Sequence, residues 1–211
     1  MSQPISKTYT MVAADANGVC LSQTPAAGAS VLQSLTIAGA LASGGSVTLD
    51  AAQKGSITGG SNESGRTFTF IGTDINGRSL SEEVTGPNAT VVYTTGNFLT
   101  ITGVTVDGDT AGAITIGIDD AMESNWIPLN TFISPFEYSY SVDIGTATFV
   151  VESTIDNIQD ASITPAVFAD VAASGSSDVT GSSTAPVTAI RLKVTAFTTG
   201  DIAFKVLQSG R

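Results

Sequence analysis

The sequence contains no histidine and a single cysteine, Cys20. Without histidine the chain loses the side chain that titrates nearest neutrality, the commonest metal ligand, and every Ser–His or Cys–His dyad. One cysteine closes no internal disulfide and builds no zinc cluster, so Cys20 is expected to be a small buried apolar group. Charge is also scarce: Lys, Arg, Asp and Glu make up 13% of the chain, about half the usual share. Most of it is negative, with 19 acidic residues against 8 basic ones and a net charge of −11. The basic residues, Lys7, Lys54, Arg66, Arg78, Arg191, Lys193, Lys205 and Arg211, are scattered. Neutralising a phosphate backbone takes clustered Lys and Arg, so no nucleic-acid partner is expected. Aromatic residues are 7% of the chain, with one Trp, which gives poor support to a sugar-binding cleft. No run approaches the ~18 apolar residues that cross a bilayer. The start, MSQPISKTYT, lacks the basic residues and apolar core of a signal peptide. The expectation is therefore no membrane association and assembly inside a cell without export.

What remains is Gly, Thr, Ser, Ala and a hydrophobic share of 42%. Thr, Val and Ile pack well on a pleated surface, so low charge here signals β-structure rather than disorder. Strand signals recur between Gly, Asn and Asp near residues 7–13, 34–37, 46–49, 55–58, 67–73, 78–85, 90–93, 99–106 and 113–118. A second set follows near 138–144, 146–153, 189–196 and 202–208. Only two short Ala-rich pieces, around Ser30 to Leu35 and Ala166 to Ala173, read as helix. The segment DDAMESNWIPLNTFISPF, Asp119 to Phe136, has no period and reads as a connection. ASGSSDVTGSSTAP, Ala173 to Pro186, reads as a Ser/Gly-rich loop. The expected fold class is all-β: two antiparallel β-sandwich or jelly-roll-like domains in tandem with little helix. The expected division is residues 1–120, a connecting segment 121–136, and a smaller domain 137–211.

Carboxylates are the natural place to look for chemistry. In FTFIGTDINGRSLSEEVTGP, Phe68 to Pro87, Asn76-Gly77 supplies a tight hairpin turn and Glu82 and Glu83 lie on the returning strand. Neighbouring strand residues face opposite sides, so these two cannot flank one glycosidic bond. An inward Glu82 needs a partner or a bulge, and the plainer expectation is an edge strand with both glutamates in water. Asp15/Asn17, Asp74/Asn76, Asp107/Asp109 and Asp119/Asp120 lack the ligand spacing of a calcium loop and suit turns. GSITGGSNESGR lacks the Gly-Lys-Ser/Thr of a phosphate loop. No catalytic, cofactor or metal residue is expected, and the chain is not expected to be an enzyme.

The order of these motifs resembles that of structural proteins of tailed-bacteriophage virions. The resemblance lies in FTFIGTDINGRSLSEEVTGPN, VYTTGNFLTITGVTVDGD and AGAITIG, then in YSYSVDIGTATFVVESTIDNIQD and PVTAIRLKVTAFTTGDIAFKVLQSG. It implies a virion component without catalytic residues, either a capsid decoration (cement) protein or a neck, tail or head-fibre part. The partners implied are the major capsid protein or other virion proteins, and the chain itself as a homo-oligomer. A surface adhesin or glycan-binding module is the alternative from another class. Apolar residues without an obvious strand partner mark the candidate interface: Ile5 and Tyr9 in the N-terminal arm, and Trp126, Ile127, Leu129, Phe132 and Phe136 in the connection.

Overall fold

Turn-forming residues cut the chain into segments of alternating burial. The computed structural model describes residues 4–132, 135–160 and 165–209, and no helix occurs among them. The strands, in chain order, begin with β1 (Ile5–Thr10), β2 (Asp15–Gln23), β3 (Gln33–Ser34), β4 (Ala42–Ser43) and β5 (Ser46–Gly59). They continue with β6 (Thr67–Thr73), β7 (Ser79–Thr85), β8 (Val91–Val106), β9 (Ile114–Ile118), β10 (Met122–Glu123) and β11 (Ile127–Pro128). The last are β12 (Glu137–Asp143), β13 (Thr146–Thr154), β14 (Phe168–Gly175), β15 (Val179–Ser183), β16 (Ala189–Thr199) and β17 (Asp201–Ser209). The fold is all-β, antiparallel and sandwich-like.

Both segments expected as short helices hold strand. Gln33 and Ser34 pair with Val106 and Thr105, and Phe168 to Asp170 pair with Ser153 to Val151. Neither segment offers an apolar stripe at helical spacing, so alanine propensity yields to sheet pairing. The Ser/Gly-rich loop likewise contains β15, which pairs with β12 from Tyr138 opposite Ser183 to Val142 opposite Val179.

The chain divides into two compact units, Val12–Met122 and Met1–Met11 together with Glu123–Arg211. This differs from a division at residue 120, because the first strand belongs with the last. β1 runs antiparallel to β17, from Ile5 opposite Val206 to Thr10 opposite Asp201. Periodicity identifies a strand but not its partner.

Val12–Met122 is one eight-stranded sheet in the order β2-β9-β5-β8-β6-β7, with β3 on β8 and β4 on β5. Phe68, Phe70, Phe98, Ile101, Ile114 and Ile116 are fully buried in an apolar cluster that also holds Cys20. One sheet covers its own core because β5 and β8 are long and interrupted. Their pairing shifts register between Thr48 and Gln53 and between Lys54 and Ser56, and such bulges bend strands. Two pairs of short strands expected there are thus two long ones. Gln53, fully buried, holds the bend: its side chain accepts from Val12 N at 2.9 Å and donates to the carbonyls of Val12 and Asp119 at 2.8 and 2.7 Å.

The other unit contains a four-stranded sheet, β1-β17-β12-β15, and a five-stranded one, β10-β16-β13-β14 with β11 also on β16. Alternation supplies the buried faces: Tyr138, Tyr140 and Val142 on β12, Ile202, Phe204 and Val206 on β17, Leu192 and Val194 on β16.

Candidate functional site

The acidic residues show what their positions allow. β7 is the edge strand beyond β6, and Glu82 stands opposite Phe70, on the core side. Its carboxylate accepts from the amide of Thr95 and, at 2.8 Å, from that of Gly96. These amides belong to the irregular stretch of β8, where no register partner is present between Tyr93 and Asn97. Glu83 is exposed. Of the two glutamates expected in water, only Glu83 is there. Glu82 is a clasp for the bulge, since charge-assisted bonds from two amides satisfy an inward carboxylate.

Other carboxylates repeat the arrangement. Glu63, 2% exposed, accepts from Ala111 N and Gly112 N at 2.9 and 2.8 Å. Asp109 accepts from Gly28 N at 2.6 Å and Gln33 Nε2 at 3.1 Å. Asp74 accepts from Asn76 N and Arg78 N at 2.8 and 2.9 Å, closing the hairpin at Gly77 (φ 74°). Asp15 takes the amide of Asn17 at 3.1 Å. The two Asp-x-Asn-Gly sequences therefore share a local bond, although the first lies inside β2 and only the second turns a hairpin. Among the described residues, no three His, Cys, Asp or Glu side chains are grouped to hold a metal.

Buried charge also serves structure. Glu152, 6% exposed on β13, accepts from Arg191 Nε at 2.7 Å. Arg191 bridges to Glu123 at 2.6 Å and lies 4.6 Å from the ring centroid of Trp126. Asp119 is held above the usual carboxylate range, chiefly by burial; a hydrogen bond with the Asp120 backbone opposes this, while the charge and side-chain bond of Asp120 reinforce it. Tyr9 is raised by burial, offset in part by a hydrogen bond with Ser124.

The structure separates the candidate interface residues. Tyr9 and Ile127 are buried, Ile127 opposite Ile190 on β16. Trp126, Leu129 and Phe136 are half-buried. Trp126 stacks on Arg191, Leu129 N donates to Thr188 O at 2.8 Å, and Phe136 packs edge-on against Tyr138 with centroids 6.0 Å apart. Ile5 is 41% exposed and Phe132 is 97% exposed. Phe132 sits on a braced turn: its amide donates to Asn130 Oδ1 at 3.0 Å. Gln208 on β17 accepts from Asn130 N at 2.7 Å and donates to Asn130 O at 2.8 Å.

With this geometry in place, the chain can be set beside known proteins. No protein-family model matches it. No curated protein matches either. Among solved structures it is similar to the major capsid protein P2 from bacteriophage PM2, at 11% identity and a TM-score of 0.22, over 98% of this chain and 97% of that one. At that score the likeness carries no functional weight.

The structure adds surface residues that the sequence reading passed over. Ile155, Val167 and Phe168 are 60%, 41% and 52% exposed, where β13 ends and β14 begins, with Ser153 opposite Phe168. The available signal was an apolar residue beside Asp156 and Asn157, turn formers that end a strand. A concavity of about 480 Å³ lies on the four-stranded sheet, lined by Ser139, Ser141, Thr180, Ser182 and Lys205 among others. Lys205 is paired there with Asp143 at 2.8 Å.

Proposed function

We propose that the chain is a non-enzymatic structural protein of a tailed-phage virion, and within it a capsid decoration protein. In this role it docks on the major capsid lattice, bridges neighbouring subunits and acts as a small homo-oligomer. Its place is the assembled virion, formed in the host cytoplasm. The observation that carries the reading is the contrast between Glu82 and Phe132. Acidic side chains of the kind chemistry would need hold backbone amides in place. A large aromatic, meanwhile, stands 97% exposed on a turn fixed by Gln208. A rigid scaffold with an outward aromatic is the arrangement of an interface anchor. The sequence resemblance to virion structural proteins supplies the kind of partner.

The test uses capsids prepared without this protein. Purified protein should co-sediment with them, and cryo-EM should show density repeated across the lattice. Phe132→Ser should weaken co-sedimentation by about tenfold or more while leaving the fold unchanged. Density confined to one vertex would move the protein to the neck or tail, and absence of binding would end the virion reading.

A further inference from the structure

A sheet edge presents unpaired amides and carbonyls that another strand can join, and proteins blunt such edges with charge, bulges or short strands. Among the described residues, most edges are blunted. β7 carries Glu82 and Glu83. β2 shifts register twice against β9, and β14 shifts once against β13. β15 has five residues with Gly181 in the middle, and β3, β4, β10 and β11 have two residues each. β1 differs. Its six residues pair with β17 in unbroken register, and no strand among the described residues lies beside its other edge. Ile5, opposite the buried Val206, is left 41% exposed at that edge.

We propose that β1 joins β1 of a second copy of this chain, antiparallel about a two-fold axis at Thr8. The strand's own sequence selects this occupant and this register. A two-fold axis perpendicular to the sheet places side chains of one face opposite each other, so only residues of equal parity meet. Centring on Lys7 sets Lys7 against Lys7, and directly opposed like charges are destabilising. Centring on Ser6 draws Pro4, which has no amide to donate, into the pairing. Centring on Thr8 sets Thr8 against Thr8, Ser6 against Thr10 and Lys7 against Tyr9. That register pairs Ser6 to Thr10 throughout and opposes no like charges. Thr–Thr and Ser–Thr pairs are favourable cross-strand neighbours. Lys7, the one charge on β1, thus rejects the shifted register and deters other strands. The two four-stranded sheets become one continuous eight-stranded sheet across the axis.

Analytical ultracentrifugation of the full chain over a concentration series tests this, with oxidative crosslinking to read the register. Wild type should show a monomer–dimer equilibrium. Under mild oxidation Thr8→Cys should give a covalent dimer, whereas Ser6→Cys and Thr10→Cys should crosslink only when mixed with each other. Thr8→Lys places two ammonium groups face to face at an exposed position and should abolish the dimer with an unchanged circular dichroism spectrum. Should Thr8→Lys unfold, the crosslinking pattern alone decides. A chain that stays monomeric throughout, a Thr8→Lys dimer as tight as wild type, or Ser6→Cys self-crosslinking as readily as Thr8→Cys would overturn the proposal. The dimer specifies the small homo-oligomer of the proposed role, so a monomeric chain would remove both; docking on the capsid is read separately, by co-sedimentation, and can fail while the dimer stands.

Discussion

Glu82 and Glu83 are neighbours of one residue type with opposite roles, and the difference is strand parity. Glu82 faces the bulge amides and Glu83 faces water. Glu82→Gln keeps the size but replaces one acceptor oxygen with a donor, which then confronts an amide N–H. Leaving a part-buried amide unpaired costs about 1–3 kcal/mol, so this variant should unfold at lower urea. Glu83→Gln should stay within about 0.5 kcal/mol of wild type, as exposed surface changes do. Equal effects of the two would refute the clasp. Cys20 makes a second case. It is fully buried, and burial pushes its thiol up to about 12. A raised folded pKa means this contribution to stability is complete below the unfolded value of about 8.5 and is lost as pH rises from there towards 12. A disulfide reagent at mildly alkaline pH should leave Cys20 unlabelled until urea unfolds the chain. Prompt labelling of the native protein would show that the thiol is reached without unfolding.

At the scale of elements, irregularity carries as much of the design as regular pairing. The β6–β8 pairing shifts register between Ile71 and Gly72, and there the backbones come close. A Cβ added at Gly72 would lie 1.8 Å from the carbonyl oxygen of Thr100. Backbone rather than a flexible side chain blocks the space, so the strands must part. Gly72→Ala should therefore destabilise the protein by about 1–3 kcal/mol, the range for overpacking, through a lower midpoint at constant m-value in urea. Wild-type stability would mean that the bulge relaxes freely. The strands legible in the sequence were those with clean alternation. β6 has the bounds its pattern announced, and β7, β9, β13 and β17 begin or end within a residue or so. β2 was hidden because Asn17-Gly18 reads as a turn, and β15 because Ser and Gly read as loop. Both lie at sheet edges, where weak propensity is enough once a neighbouring strand supplies the hydrogen bonds.

The whole molecule is organised by its termini. The unit Val12–Met122 is continuous in sequence and holds its own apolar cluster, so residues 12–122 expressed alone should fold. The expected result is a cooperative urea transition and dispersed amide resonances; a collapsed, non-cooperative chain would show that this core needs the rest of the protein. Residues 123–211 alone lack β1, leaving the edge of β17 without its partner, and should be less stable than the same strands in the full chain. The candidate interface residues are instructive at this scale. Their selection rested on apolar character without a visible strand partner, and that criterion cannot tell a residue lacking a partner from one whose partner is distant in sequence. Tyr9 and Ile127 are of the second kind, since pairing partners for them lie on β17 and β16.

By itself the sequence determined the fold class and the absence of histidine-based chemistry, because alternation and composition are local properties that no partner alters. It also determined the hairpin turn from Asp74 to Arg78, whose bonds to the Asp74 carboxylate and positive φ at Gly77 are settled within a few residues. Only the tertiary structure decided which strand lies beside which, that the first strand closes a sheet with the last, and that Glu82 faces amides rather than solvent. Those outcomes depend on long-range pairing. A strand's amides accept any neighbour of suitable length, and the choice among neighbours belongs to the packing of the whole chain.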